Sequence, residues 1–256
     1  MGRLPTAPET VDGRARRVDR FFGGTARSYD RLVRVATLGQ DAWWKRRLVS
    51  HLPRRCRRVL DLACGTGIVT AAVLRRCPRA RVVGVDLTGE YLDIARRRFA
   101  GTSRDVTFVH ANAETVELDG RFDGVVASYL PKYVSADRLL DRLAPHLEPG
   151  AAVALHDFSY PFSTALRPLW LAHMRLVNAF GRRAFPEWRV VFDGELETLV
   201  RSSAWVTDTR RALRRRGFAG VRLELLTGQM AAIVSARGPG RSPAASRTPI
   251  PHRPTV

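Results

Sequence analysis

Residues 59–67, Val-Leu-Asp-Leu-Ala-Cys-Gly-Thr-Gly, constrain the fold of this chain more than any other stretch. An apolar run leads into a glycine turn, a helix-forming segment follows, and a second apolar run ends at Asp86. This order is typical of a nucleotide-binding unit in a doubly wound α/β sheet. A glycine turn that only reverses the chain is the simpler alternative.

The residues of this turn indicate the kind of ligand. We expect Gly65 and Gly67 to let the backbone approach a ligand where a Cβ would clash. Asp86, at the tip of the second strand, can accept hydrogen bonds from both hydroxyls of a ribose. Asp61 lies within the strand end, and the third glycine of the dinucleotide fingerprint is missing. The turn therefore predicts a ligand that has a ribose but no pyrophosphate.

Short apolar runs continue to alternate with helical segments. Further strands are predicted at residues 106–109, 122–127 and 152–155, with helices beginning near 89 and 135. This alternation predicts a parallel sheet, in which ligands bind at the carboxyl ends of the strands. Asn112 and Ser128 fall at such ends, and the small Ala113 leaves room for an adenine ring.

Asp61 and the glycine turn resemble the first motif of class I S-adenosylmethionine (SAM) methyltransferases. Within that class, the chain resembles the ubiquinone and menaquinone biosynthesis C-methyltransferases over roughly residues 20–236. The matching segments are Ser28-Tyr29-Asp30, Thr37-Leu38-Gly39, Trp44-Lys45, Asn112-Ala113-Glu114 with Ser128, residues 155–161 and residues 217–232.

This resemblance implies SAM as the cofactor. It implies a mostly parallel, seven-stranded Rossmann-like sheet, with N-terminal helices and a helical insertion over the active site. It also implies SAM contacts from Thr66, Asp86, Asn112, Ala113 and Ser128. The complete predicted cofactor site is Tyr29, Asp61, Gly65, Thr66, Gly67, Asp86, Leu87, Asn112, Ala113 and Ser128.

The predicted acceptor side departs from the family pattern. The quinone enzymes carry an Arg-Asn pair after the fourth strand, where this chain has Lys132-Tyr133. Asp157 matches the family's acid in the fifth strand. Because neighbouring strand residues face opposite ways, only one of His156 and Asp157 should face the site. We predict Lys132, Tyr133 and Asp157 as catalytic residues, each with a structural role as the alternative.

An insertion at residues 160–204 is expected to cover the acceptor pocket. It contains an apolar helical stretch, residues 165–180, which Gly181 is predicted to end. An apolar and aromatic cover indicates a hydrophobic small molecule. Its arginines either meet an anionic group of the acceptor or face water.

The formal net charge of +19 raises the question of a nucleic-acid partner. Many arginines, however, precede the predicted strands or close the helices, which places them on the rim opposite the cofactor. We therefore expect a solvated cationic face and no nucleic-acid partner. The alternative is peripheral membrane or polyanion contact through this rear rim.

Composition and segment boundaries complete the predictions. Cys56, Cys64 and Cys77 have no metal-ligand spacing, so no metal is expected and a reducing cytoplasm fits. The expected segments are a flexible N-terminus (1–20), cap helices (21–52), the methyltransferase domain (53–236) and a disordered tail (237–256). The oligomeric state is expected to be a monomer or a homodimer.

The sequence therefore predicts a SAM-dependent methyltransferase that acts on a hydrophobic small molecule, most directly at carbon. A prenylated quinol, or a prenyl or polyketide secondary metabolite, is the expected acceptor. One alternative is an anionic prenyl diphosphate held by Lys132 and the insertion arginines. An alternative of another class is a SAM-fold protein that binds RNA or another polyanion.

Overall fold

The computed structural model describes residues 10–240. This part of the chain contains nine α-helices and seven strands. The helices are α1 (Val11–Phe22), α2 (Ala26–Ala36), α3 (Gln40–Ser50), α4 (Ile68–Arg76), α5 (Gly89–Phe99), α6 (Ala136–Leu143), α7 (Arg167–Ala184), α8 (Leu196–Ser202) and α9 (Trp205–Arg215). The strands are β1 (Arg58–Leu62), β2 (Arg81–Asp86), β3 (Val106–His110), β4 (Phe122–Ser128), β5 (Leu147–Phe158), β6 (Ala219–Leu226) and β7 (Ala231–Arg237).

The strands form one sheet in the order β3-β2-β1-β4-β5-β7-β6. The first five strands in this order pair in parallel, and β7 pairs antiparallel with both β5 and β6. The strand order reverses between β1 and β4, which is where ligands bind in sheets of this kind. The predicted fold class is confirmed.

Side chains on the two faces of the sheet form two cores. Leu60 and Leu62 of β1 pack on one face with α6 and α9, and Val59 packs on the other face with α3 and α4. This alternation follows from the two-residue period of a strand. A third buried cluster, rich in aromatic rings, joins α1 and α2 to residues 185–199. It lies over the carboxyl ends of the strands and covers the site.

The N-terminal segment differs from its prediction. Residues 11–20 were expected to be flexible, but they form most of α1, and the Thr10 side chain caps this helix by accepting a hydrogen bond from the Gly13 N–H. Phe21 is buried in the aromatic cluster and Phe22 packs against it. The amphipathic spacing of α1 gives it an apolar face, and the cluster provides a partner for that face.

The C-terminal boundary and the insertion helix also differ. Arg237 belongs to β7, and the Gly238 N–H donates to the Ala151 carbonyl, so these residues are part of the fold; residues 241–256 of the predicted tail lie outside the described part. Gly181 does not end α7, which continues to Ala184. A Cβ at Gly181 would lie 2.3 Å from the Phe192 ring, so this glycine allows close packing within the helix.

The rear arginines lie largely where they were expected. Arg58 and Arg81 begin β1 and β2, and the loops around Arg54 and Arg79 line a groove at that end of the sheet. Arg98 is an exception, because its guanidinium pairs with Asp30 of α2. None of the helices in residues 10–240 combines the length and apolar content of a membrane span.

Candidate functional site

A cavity lies at the carboxyl ends of β1, β2 and β4, beneath α1 and α2. Its free volume is about 90 Å³, and aromatic and aliphatic side chains make up most of its wall. The wall consists of Arg14, Ala15, Val18, Phe22, Tyr29, Ala63, Gly65, Val85, Asp86, Leu87, Thr88, Tyr91, Ala111, Asn112, Ala113, Glu114, Ser128, Tyr129, Leu130, Tyr133 and Val134.

The two glycines of the turn have different roles. Both adopt positive φ, 55° at Gly65 and 82° at Gly67, which favours glycine at each position. Gly65 lines the cavity. A Cβ at Gly67 would instead lie 3.0 Å from the Phe99 ring and 3.4 Å from the Ala95 Cβ. Gly67 therefore allows α5 to pack against the turn, and the expectation that it clears space for a ligand is not supported by its position.

Asp86 is held in place by the backbone. Its Oδ2 accepts from the Gly65 N–H at 2.8 Å and its Oδ1 from the Thr88 N–H at 2.9 Å. Burial raises the pKa of this carboxyl group, and these hydrogen bonds oppose the shift. Each carboxylate oxygen has a second lone pair. Both can therefore accept from a ribose hydroxyl while they hold the turn.

Asp61 lies beneath the turn and not on the cavity wall. Its Oδ2 accepts from the Thr70 hydroxyl at 2.6 Å, while its buried Oδ1 has no hydrogen-bond partner among the described residues. Burial raises the pKa of Asp61 to about 7. A buried acceptor without a donor fits a cationic group, and the amino group of SAM supplies one.

The adenine side of the cavity is formed by the loop after β3. The Asn112 side-chain oxygen accepts from the Glu114 N–H at 2.9 Å, which fixes the loop and leaves the amide nitrogen available. Arg14 of α1 donates to both carboxylate oxygens of Glu114, at 3.0 and 2.7 Å. This pair ties α1 to the sheet over the cavity. The polar groups of the loop, the Asp86 carboxylate and the unpartnered Asp61 oxygen together fit SAM.

Behind the cavity, Ser128 and Tyr129 belong to a buried polar network. The Ser128 hydroxyl lies 3.0 Å from His156 Nδ1, and the Tyr129 hydroxyl donates to Asp41, which also accepts from Lys45 at 2.9 Å. Burial lowers the pKa of His156 to about 3, so its imidazole is neutral at physiological pH. Tyr129 has a φ of 65° and stacks on Phe158. The network fixes the end of β4 in this conformation.

Aromatic rings from distant segments form the cover of the cavity. Phe22 makes edge-to-face contacts with Tyr29, Tyr91, Tyr133 and Trp188, at centroid distances of 5.8 to 6.2 Å. Burial raises the pKa of the Tyr29 and Tyr133 hydroxyls well above the usual range. Neither hydroxyl has a hydrogen-bond partner within residues 10–240. Both are protonated and can donate to an acceptor oxygen.

Lys132 and Asp157 form a buried ion pair. The Lys132 ammonium lies 2.6 Å from Asp157 Oδ1, and the two side chains are 2% and 0% exposed. The Lys132 N–H donates to the other carboxylate oxygen at 3.0 Å, and the ammonium donates to the Tyr129 carbonyl. Burial lowers the pKa of Lys132 and raises that of Asp157, and the pairing opposes both shifts. The pair holds the turn of residues 129–133.

The structure thus brings together only part of the predicted site. The predicted residues on the cavity wall are Tyr29, Gly65, Asp86, Leu87, Asn112, Ala113, Ser128 and Tyr133. Those away from the wall are Asp61, Thr66, Gly67, Lys132 and Asp157. The Thr66 hydroxyl donates to Asp30 of α2, and the Lys132 ammonium is paired with Asp157.

Several wall residues were missed. Arg14 and Val18 lie on α1 in the segment predicted to be flexible, Phe22 lies at the end of the same helix, and Tyr91 lies on α5. The apolar residues of α1 recur at three- and four-residue spacing, a signal that could have revealed a helix with a buried face. The contact between Arg14 and Glu114 spans 100 residues and has no local signal.

Comparisons with known proteins agree with this geometry. A methyltransferase-domain family model matches residues 59–150. A demethylmenaquinone methyltransferase from Thermus thermophilus is 32% identical over 62% of this chain and 74% of its own length. A ubiquinone/menaquinone biosynthesis C-methyltransferase from Desulfotalea psychrophila is 34% identical over 59% of this chain and 62% of its own.

Solved structures share the fold at lower identity. Geranyl diphosphate C-methyltransferase from Streptomyces coelicolor, solved with S-adenosyl-L-homocysteine, has a TM-score of 0.57 and 15% identity over 77% of this chain and 79% of its own. Human N-acetylserotonin methyltransferase, solved with SAM, has a TM-score of 0.54 and 15% identity over 87% and 60%. The identity to the Thermus thermophilus enzyme over 74% of its length shows that the chain belongs to the ubiquinone and menaquinone biosynthesis C-methyltransferase family of class I methyltransferases, whose methyl donor is S-adenosyl-L-methionine.

Proposed function

We propose that this enzyme methylates a carbon atom of an uncharged hydrophobic small molecule, with a prenylated quinol as the leading acceptor. The observation that carries this proposal is the aromatic cover: Phe22, Tyr29, Tyr129 and Tyr133 line the cavity above the cofactor residues. Apolar walls with a few polar groups suit a hydrophobic ligand with one or two oxygens. The names of the curated relatives support a quinone-type acceptor.

The charges around the cavity favour a neutral acceptor over a prenyl diphosphate. Of the cationic side chains in residues 10–240, only Arg14 lines the cavity, and both Glu114 oxygens accept from it. The Lys132 ammonium is buried against Asp157. A diphosphate bound here would therefore be desolvated without a free counter-charge, which costs free energy.

When bound, SAM would supply an electrophilic methyl group to the acceptor carbon, and that carbon would afterwards release its proton to water. The contribution of the protein is to align the acceptor and exclude water. Asp86, Asn112 and Ser128 hold the cofactor, and the Tyr29 and Tyr133 hydroxyls orient an acceptor oxygen. Lys132 and Asp157 act as positioning residues, since they hold the turn that carries Tyr129 and Tyr133.

Ligand entry requires movement of α1. A free volume of about 90 Å³ is well below the roughly 300–1,000 Å³ of pockets that hold drug-sized ligands. Val18 and Phe22 of α1 close the cavity, and the bidentate contact of Arg14 with Glu114 holds the helix there. We infer that α1 moves away to admit SAM and the acceptor, then closes to exclude water during methyl transfer.

Methyl-labelled SAM and three candidate acceptors test the proposal. The acceptors are a reduced prenylated naphthoquinol, a prenyl diphosphate and the same naphthoquinol without its prenyl chain. We expect label in the prenylated quinol, at a carbon as identified by NMR. Label only in the diphosphate, or only at an oxygen, would contradict the proposal. Asp86→Ala is the control, because label that depends on SAM binding should fall with every acceptor.

A further inference from the structure

The outward face of α7 carries an apolar stripe that nothing in residues 10–240 covers. Leu169, Leu176 and Phe180 are 68%, 72% and 55% exposed. Ala172 and Ala179, also exposed, lie between them at helical spacing. The stripe extends for about 16 Å along the helix axis, at 1.5 Å per residue. Exposed apolar surface of this extent, arranged along one helix face, is typical of an interaction site.

The adjoining loop enlarges this surface. His173 of α7 lies beside the backbone of Ala36, at the end of α2, and the two helices pack together. The turn after α2 therefore lies beside α7, and its Leu38 is 77% exposed with a φ of 51°. A positive φ is costly for leucine. The α7 surface, defined as Leu38, Leu169, Leu176 and Phe180, thus combines two segments of the chain.

Within the two segments that form the α7 surface, the charged side chains are all arginines. Residues 158–186 contain four arginines and no acidic residue, and residues 31–40 contain two arginines and no acidic residue. Arg34, Arg175 and Arg183 are exposed and make no ion pair with any residue in 10–240. A helix with an apolar stripe and arginines at its borders has the composition of an interfacial helix.

The opposite face of α7 supports the cover of the cavity. Trp170 is buried against Tyr160, and Val177 packs on the aromatic cluster that contains Trp188. Trp188 in turn contacts Tyr29 and Phe22 on the cavity wall. A surface that α7 contacts would therefore lie next to the cover through which a hydrophobic acceptor enters.

We propose that the α7 surface binds an anionic lipid bilayer, with Leu169, Leu176 and Phe180 inserted at the headgroup boundary and Arg34, Arg175 and Arg183 contacting lipid phosphates. A second copy of this chain is a poorer partner, because a symmetric contact would bring the same unpaired arginines together with no acidic residue between them. Nucleic acid offers phosphates but no apolar partner for the exposed leucines of this surface. This proposal concerns the surface alone and holds whichever acceptor the enzyme methylates.

Vesicle co-sedimentation of the full chain tests the proposal. Vesicles of phosphatidylcholine mixed with phosphatidylglycerol should bind the protein, and pure phosphatidylcholine should bind it weakly, since the anionic headgroups attract the arginines. The variant Leu169→Gln/Leu176→Gln/Phe180→Gln should bind about tenfold or more weakly to the anionic vesicles. All three side chains are exposed, so circular dichroism should show an unchanged fold.

Two control variants separate this surface from other features. Leu225→Gln removes an exposed apolar side chain on β6 and should bind as the parent does. Arg54→Gln/Arg55→Gln/Arg57→Gln removes charge from the rear rim and should weaken binding by less than about threefold. Loss of vesicle binding in the rear-rim variant alone would overturn the proposal. The proposal would also be overturned if the parent protein did not bind anionic vesicles, or if the three α7 residues were required for self-association.

Discussion

Two regions of the cavity are built in different ways. One is the cofactor rim, formed by Asp86 and Asn112 at the strand ends, and the other is the aromatic cover. In the rim, backbone N–H groups orient both side chains. Those of Gly65 and Thr88 donate to Asp86, and that of Glu114 donates to Asn112. In the cover, Phe22, Tyr133 and Trp188 come from segments far apart in the chain, and Phe22 contacts both other rings edge to face. The rim is therefore specified by short motifs, whereas the cover depends on tertiary packing.

The largest expected effect concerns the ion pair that holds the turn under the cover. Asp157→Ala leaves the Lys132 ammonium buried without its partner, and we expect a loss of about 3–5 kcal/mol in the free energy of unfolding. The double variant Lys132→Met/Asp157→Leu removes both charges and should recover most of that loss. Urea denaturation measures both. A loss below about 1 kcal/mol in Asp157→Ala would show that the pair is solvated.

The next effect tests the rim. Asp86→Ala removes the acceptor for the ribose hydroxyls and for two backbone N–H groups, so SAM binding should weaken by about 1.5–3 kcal/mol, or roughly 10- to 150-fold in Kd. Calorimetric titration with SAM measures this change. Asp93→Ala, on the exposed side of α5, is the matched control and should leave the Kd unchanged. Equal affinities in all three proteins would remove Asp86 from the cofactor site.

The pH dependence of SAM binding tests the buried acid beneath the turn. Burial raises the pKa of Asp61 to about 7, so its carboxyl group loses its proton as the pH rises through that value. A carboxylate attracts the SAM ammonium more strongly than a carboxylic acid does. Affinity should therefore rise by about tenfold between about pH 5.5 and about pH 7.5. Asp61→Asn should bind with a flat profile, and the same slope in that variant would assign the titration to another group.

A smaller effect is expected for one hydroxyl in the cover. Tyr133→Phe removes a hydrogen-bond donor but keeps the ring that contacts Phe21 and Phe22. We expect kcat for methyl transfer to fall about fivefold, with the SAM Kd unchanged, as for the loss of one hydrogen bond. Tyr160→Phe, at the base of α7, is the control and should retain the parent kcat. A Tyr133→Phe variant with full kcat would show that this hydroxyl does not meet the acceptor.

The same difference between rim and cover explains what the sequence could predict. The sheet, Gly65, Asp86 and Asn112 follow from local patterns of strand, turn and polar strand end, and these three residues lie on the cavity wall. Lys132 was placed by its alignment with a family arginine. Its ammonium instead pairs with Asp157, 25 residues away, and no local pattern signals such a contact.

Two further differences have physical causes of the same kind. Residues 11–20 were predicted to be flexible, but the apolar face of α1 has a partner in the aromatic cluster. Gly181 has the usual signal of a helix end, but the Phe192 ring occupies the space beside its Cα within α7. In both cases a contact from a distant segment overrides the local preference.

We propose that Lys132 and Asp157 position the turn and that the aromatic cover binds the acceptor without a cationic contact. Steady-state kinetics of Lys132→Met/Asp157→Leu with the methylated acceptor tests this most directly. We predict a KM for the acceptor within about threefold of the parent value and a reduced kcat, because the turn loses its hydrogen bonds but no acceptor contact. A KM raised by about tenfold or more, with kcat retained, would show that the Lys132 ammonium binds the acceptor and would contradict the account.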